Sequence, residues 1–121
     1  MSKIFEKIQP NYVYHLAAVA HANISNKDPF STFDHSLRTL ENSLDASRSL
    51  KNLKRFIYIS SSMIYGNFKK KTVNEKDSCE PLGIYAALKF SGEKLVLGYN
   101  QVFKLPYNII RPSALYGERC V

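Results

Sequence analysis

Tryptophan is absent from this chain of 121 residues, and cysteine (2) and glycine (5) are sparse. The shortage of glycine is the more informative, because Gly66, Gly83, Gly92, Gly98 and Gly117 are dispersed. None lies in the clustered G-x-G-x-x-G or G-x-x-G-x-x-G pattern whose backbone amides cradle a dinucleotide pyrophosphate. Cys79 and Cys120 form no C-x-x-C and have no histidine cluster beside them, which excludes the common zinc and dithiol motifs. No stretch approaches the ~20 apolar residues of a membrane span. Residues 1–7 are too charged for the apolar core of a secretion signal, so the expectation is a cytoplasmic chain with reduced thiols.

What is present is ordinary globular composition, 45% apolar and 22% charged, in a length that suits one domain at most. The net charge of +7 would suit an anionic partner. Its densest source, however, is the run Lys69, Lys70 and Lys71 between two periodic segments, and the rest is scattered. A solvated loop is the better reading, and neither a nucleic-acid nor a membrane partner is expected.

Residues 12–20 are an apolar run with β-branched and aromatic residues at the front, the pattern of a strand buried on both faces of a parallel sheet. Asp28 and Pro29 suit a loop and helix start, and Phe33, Leu37, Leu40 and Leu44 then recur at helical spacing, which predicts a helix over 31–50. A second buried-strand pattern, 55–60, runs into Ser60, Ser61 and Ser62 and a polar loop that reaches Pro81. Helical periodicity returns from Tyr85 to about Phe103, where Leu105 and Pro106 stop it. Residues 107–110 make a third short strand. Strand, helix, strand, helix, strand is the α/β pattern of a doubly wound, Rossmann-like parallel sheet with right-handed crossovers.

Ligands of such sheets bind beyond the carboxyl ends of the strands. There the sequence places small residues at 16–18 and the three serines, hydroxyls able to donate or accept. A serine cluster at a strand end is also a plain turn or helix cap. Tyr85 and Lys89 stand four apart among good helix formers, so both project from one face one turn apart. A spacing of this kind is expected by chance about once in such a composition. Tyr65 and Lys69 share it, but Gly66 and Asn67 break any helix between them. The Tyr85 spacing has a mechanism, because a phenol is a poor base at neutral pH and a nearby cation favours its phenolate.

Four motifs in order carry a resemblance: YHLAA at 14–18, RFIYISSSMIYG at 55–66, PLGIYAALKFSGE at 81–93 and IIRPSALYG at 109–117. They resemble the NAD-dependent epimerase/dehydratase family, the extended branch of the short-chain dehydrogenase/reductases, over residues 11–118. The resemblance implies an enzyme using NAD or NADP on a nucleotide-sugar-type small molecule. It implies Tyr85 as acid/base, Lys89 tuning that tyrosine and holding the nicotinamide ribose, and Ser61 binding the substrate hydroxyl. Ser62 joins the substrate side, while Leu16, Ala17, Ala18, Pro112 and Ser113 line the cofactor.

Departures accompany it. The family's glycine-rich βαβ unit would precede Met1 and its substrate lobe would follow Val121. The chain is therefore expected to be the central or second half of a NAD(P)-binding Rossmann domain. A complementing amino-terminal half or homo-oligomer would complete it, since the strand near Asn11 would otherwise be an exposed edge. The family's Asn-x-x-Gly-Thr is reduced to Thr39, and Ala114 replaces a common Asn. The alternative is an inactive Rossmann-like remnant that binds a protein partner or no ligand.

Overall fold

In the computed structural model the chain is described over residues 2–20, 22–114 and 116–118; Cys120 lies outside this set. Three parallel strands, β1 (Tyr12–His15), β2 (Arg55–Ile59) and β3 (Tyr107–Ile110), form one sheet in the order β1-β2-β3. The register sets His15 beside Tyr58 and Ile59 beside Ile110, so all three strands end at one level. The sheet is Rossmann-like, as the alternating pattern implies.

Helices α1 (Ser2–Ile8), α2 (Ala22–Lys27), α3 (Pro29–Phe33), α4 (Thr39–Arg48) and α5 (Gly83–Phe103) complete the described fold. Asp28 starts α3 by accepting from the Ser31 amide at 3.0 Å, with Pro29 at the first helical position. One π turn, Asp34–Arg38, joins α3 to α4, so the helix predicted over 31–50 is present with a widened turn inside it. The helices α1 and α2 were not anticipated, because each is too short to show a periodic apolar face.

The strand predicted over 12–20 is corrected in two respects. It ends at His15, and it is not buried on both faces, since Tyr12 is 51% and Tyr14 64% exposed. The cause is its position at the sheet edge, with only its other face covered: Val13 packs against the core.

The core lies on that covered face, where Phe56 and Tyr58 of β2 meet Leu40 and Leu44 of α4 and Val96 of α5. Leu40, Leu44, Phe56 and Val96 are fully buried, worth about 1.5–3 kcal/mol each in transfer terms. Helix α5 approaches β2 closely because Gly92 has no side chain. A Cβ there would stand 2.2 Å from the Tyr58 hydroxyl. That hydroxyl donates to the Lys89 carbonyl at 3.3 Å. Close packing at Gly92 thus fixes the depth and rotation of the helix that carries Tyr85 and Lys89.

Candidate active site

Beyond the carboxyl ends of the strands lies a cleft of about 260 Å³. Leu16 and Ala18 reach it from the segment after β1, Ser60 and Ser61 from the end of β2, Tyr85 and Lys89 from α5, and Pro112 and Ser113 from the segment after β3. Residues separated by up to 97 positions are thereby brought to one wall. Two of the expected residues are elsewhere. Ala17 does not line the cleft; its backbone is a hydrogen-bonding partner of His15. Ser62 opens a short 3-10 turn (Ser62–Tyr65), gives its amide to the Pro112 carbonyl at 2.9 Å and lines a neighbouring groove along β3.

The three serines therefore differ in what they can do. Ser61 caps the 3-10 turn, its hydroxyl oxygen accepting from the Met63 amide at 3.2 Å. Its own O–H remains available to donate, so the cap and a ligand contact are compatible. Ser60 lines the cleft, is 2% exposed, and its hydroxyl has no hydrogen-bond partner among the described residues. The sequence reading named Ser62 and not Ser60; Ser60 lines this cleft and Ser62 the groove along β3.

Helix α5 begins at Gly83, whose φ of +78° suits a residue without a Cβ. Leu82 offers no side-chain cap, and Asn26 of α2 serves instead, accepting from the Ile84 amide at 3.3 Å. Tyr85 and Lys89 follow on one face. The Lys89 ammonium donates to the Ile59 carbonyl at 2.7 Å and stands 5.9 Å from the centre of the Tyr85 ring. Burial lowers the Lys89 pKa from its ordinary value. His15, buried at the end of β1 against Phe56 and Tyr58, is held at a pKa of about 4, chiefly by burial and secondly by the Lys89 charge. It is a neutral ring at physiological pH, with Nε2 unpartnered among the described residues.

One turn beyond Lys89 along α5, Glu93 is almost fully buried and grips Arg111 through two bonds, Nε at 2.9 Å and Nη2 at 2.8 Å. The decoy tyrosine has its own task here, because Tyr65 accepts from Arg111 Nη1 at 2.8 Å. Gly66, at φ +66°, turns the chain away before Lys69, and a Cβ there would lie 2.1 Å from the Glu80 carbonyl. Lys69 pairs with Glu80 and Lys70 with Asp77, all within one loop, so part of the lysine run is internally balanced. No cluster of three metal-binding side chains exists among the described residues, and no helix there is long and apolar enough to cross a membrane.

A three-stranded parallel sheet with a cleft beyond the carboxyl ends of its strands is a Rossmann-like arrangement. The profile of the NAD dependent epimerase/dehydratase family matches residues 1–120, and the chain belongs to that family. Among relatives, it is 35% identical to protein CapI of Staphylococcus aureus over 97% of this chain and 35% of that protein. It is 32% identical to dTDP-D-glucose 4,6-dehydratase of Dictyostelium discoideum, covering 98% of this chain and 30% of that protein. Its fold is similar to that of the UDP-glucuronic acid 4-epimerase of Bacillus cereus crystallised with NAD, with a TM-score of 0.85, 34% identity, and coverage of 98% of this chain and 37% of that one. The chain spans about a third of the length of these relatives.

Proposed function

We propose that this chain supplies the catalytic portion of a NAD(P)-dependent nucleotide-sugar epimerase or dehydratase. The observation that carries this reading is the convergence of Ser61, Tyr85 and Lys89 with Leu16, Ala18, Pro112 and Ser113 on one cleft. The residues present suit a nicotinamide riboside. Ala18 and Ala20 keep one wall low, and Ser60 brings a buried hydroxyl with no partner among the described residues. Leu16, Ala18, Lys89, Pro112 and Ser113 would hold the nicotinamide cofactor, which would supply reversible hydride transfer at a sugar carbon.

The protein's own part is binding, orientation and proton transfer. Ser61 donates its free O–H to the sugar hydroxyl, while the Met63 amide fixes the rotamer of that serine. Tyr85, half-buried at the cleft, takes the proton of the same hydroxyl and later returns it. Lys89 contributes a positive charge near the phenol ring and donors for ribose hydroxyls, with one donor already committed to Ile59. Neutral His15 adds no competing charge near Lys89. Completion by a further polypeptide segment or by a second copy belongs to this proposal. So does action in the cytoplasm.

The test is turnover of UDP-glucose and UDP-glucuronate by the protein with added NAD, compared with Tyr85→Phe. Conversion that falls at least about a hundredfold in the variant supports the assignment. Equal conversion by both proteins removes Tyr85 from its role. A wild type that neither turns over nor binds either sugar nucleotide points instead to an inactive Rossmann-like remnant that binds a protein partner or no ligand.

A further inference from the structure

Arg111 is the most heavily engaged side chain beside the cleft, and its partners come from three separate segments. Nε and Nη2 grip the two carboxylate oxygens of Glu93 on α5; Nη1 donates both to the Tyr65 hydroxyl at 2.8 Å and to the Glu75 carbonyl at 3.1 Å. The guanidinium also stands 5.1 Å from the centre of the Tyr65 ring. Glu93 is one helical turn beyond Lys89, and Arg111 directly precedes Pro112 and Ser113 of the cleft.

We propose that Arg111 is a positioning residue, a clasp that holds the serine turn, helix α5 and the 112–113 segment in the register that brings Ser61, Tyr85 and Lys89 together. Besides the Tyr58 hydroxyl on the Lys89 carbonyl, two side chains of α5 tie the helix to the strand ends on successive turns. Lys89 fastens it to the end of β2 through Ile59, and Glu93 fastens it to the end of β3 through Arg111. The third arm, to Tyr65, reaches the same turn that Ser61 caps, and the Ser62 amide closes the loop on Pro112. The Gly92 contact and the Tyr58 bond hold α5 against β2, and the Arg111 tie extends that hold to the end of β3. Only a planar fork with five donors serves a carboxylate in two bonds and still reaches a phenol and a carbonyl, so lysine is no substitute. The role assigned to the held residues rests on the proposed function, but the clasp itself is tested without activity.

Amide hydrogen exchange in the protein reads two bonds. The Ser62 amide, bonded to Pro112, reports the clasped end of the sheet, and the Phe56 amide, bonded to Pro106, reports its opposite end. In Arg111→Lys and Glu93→Gln, protection at Ser62 is expected to fall at least tenfold relative to protection at Phe56. Tyr65→Phe keeps the ring under the guanidinium and loses one bond. It should lower the same ratio severalfold, and it decides the matter should the charge variants fail to fold. A uniform loss at both amides, or no loss at either, overturns the clasp. Where turnover is measurable, the positioning role further expects Tyr65→Phe to lower kcat with KM for the sugar nucleotide little changed; KM rising with kcat intact overturns it. A wild type without turnover bears on the proposed function and leaves the exchange result to stand by itself.

Discussion

Lys89 donates its ammonium to the backbone carbonyl of Ile59 at 2.7 Å, tying the middle of a long helix to the last residue of the central strand. The bond keeps a buried cation beside Tyr85 in a place where burial disfavours its charge. A group held against such a cost is a better sign of function than of stability. Lys89→Met keeps the length of the side chain and removes the charge. The expected outcome is a protein whose thermal midpoint is unchanged or raised and whose nicotinamide binding is lost. A variant that unfolds while the remaining folded fraction binds normally would make the lysine structural.

His15 gives a pH dependence with a definite sign. Its pKa falls from 6.5 in the unfolded chain to about 4 in the folded one, so between these values the unfolded state binds more protons. Stability therefore rises with pH across that window and is lost as pH falls from 6.5 towards 4, by up to roughly 3 kcal/mol. Urea unfolding from pH 7 to pH 4 should show this slope, and His15→Phe, which keeps a ring against Phe56 and Tyr58, should flatten it. Equal slopes in the two proteins would contradict the buried neutral imidazole.

Gly92 is a packing requirement. In Gly92→Ala the new methyl meets the Tyr58 hydroxyl and ring carbon at 2.2 and 2.6 Å, and either α5 or Tyr58 must move. A loss of about 1–3 kcal/mol is expected in urea unfolding. Gly98→Ala, where nothing lies within 4 Å of the added carbon, should be neutral or slightly stabilising. Equal stability of the two variants would refute the close approach.

The legible parts of the molecule were those written in local periodicity. Tyr85 and Lys89 share a helix face because good helix formers surround them, and residues 107–110 are a strand because Pro106 and Pro112 bracket an apolar run. Gly66 separated Tyr65 from Lys69 in the sequence as it does in space. The end of β1 was not legible, because the apolar run continues through Ala20 although the chain leaves the sheet at His15. Of those later residues, Leu16, Ala18 and Ala20 line the cleft. Nor does any local pattern reveal that Asn26 caps α5, that Ser60 enters the cleft where Ser62 does not, or that Glu93 and Arg111 pair across 18 positions. Each is fixed by tertiary packing.

The central claim is a nicotinamide site built by this chain around Lys89. Its most direct test is calorimetric titration of the protein with NAD and NADH, run in parallel with Lys89→Ala and with Gly98→Ala as a folded control. Saturable binding by the wild type and by Gly98→Ala, weakened at least tenfold in Lys89→Ala, is the predicted result. Binding of equal strength in all three proteins would contradict the account, because the cofactor would then be held without the residue on which the site is centred.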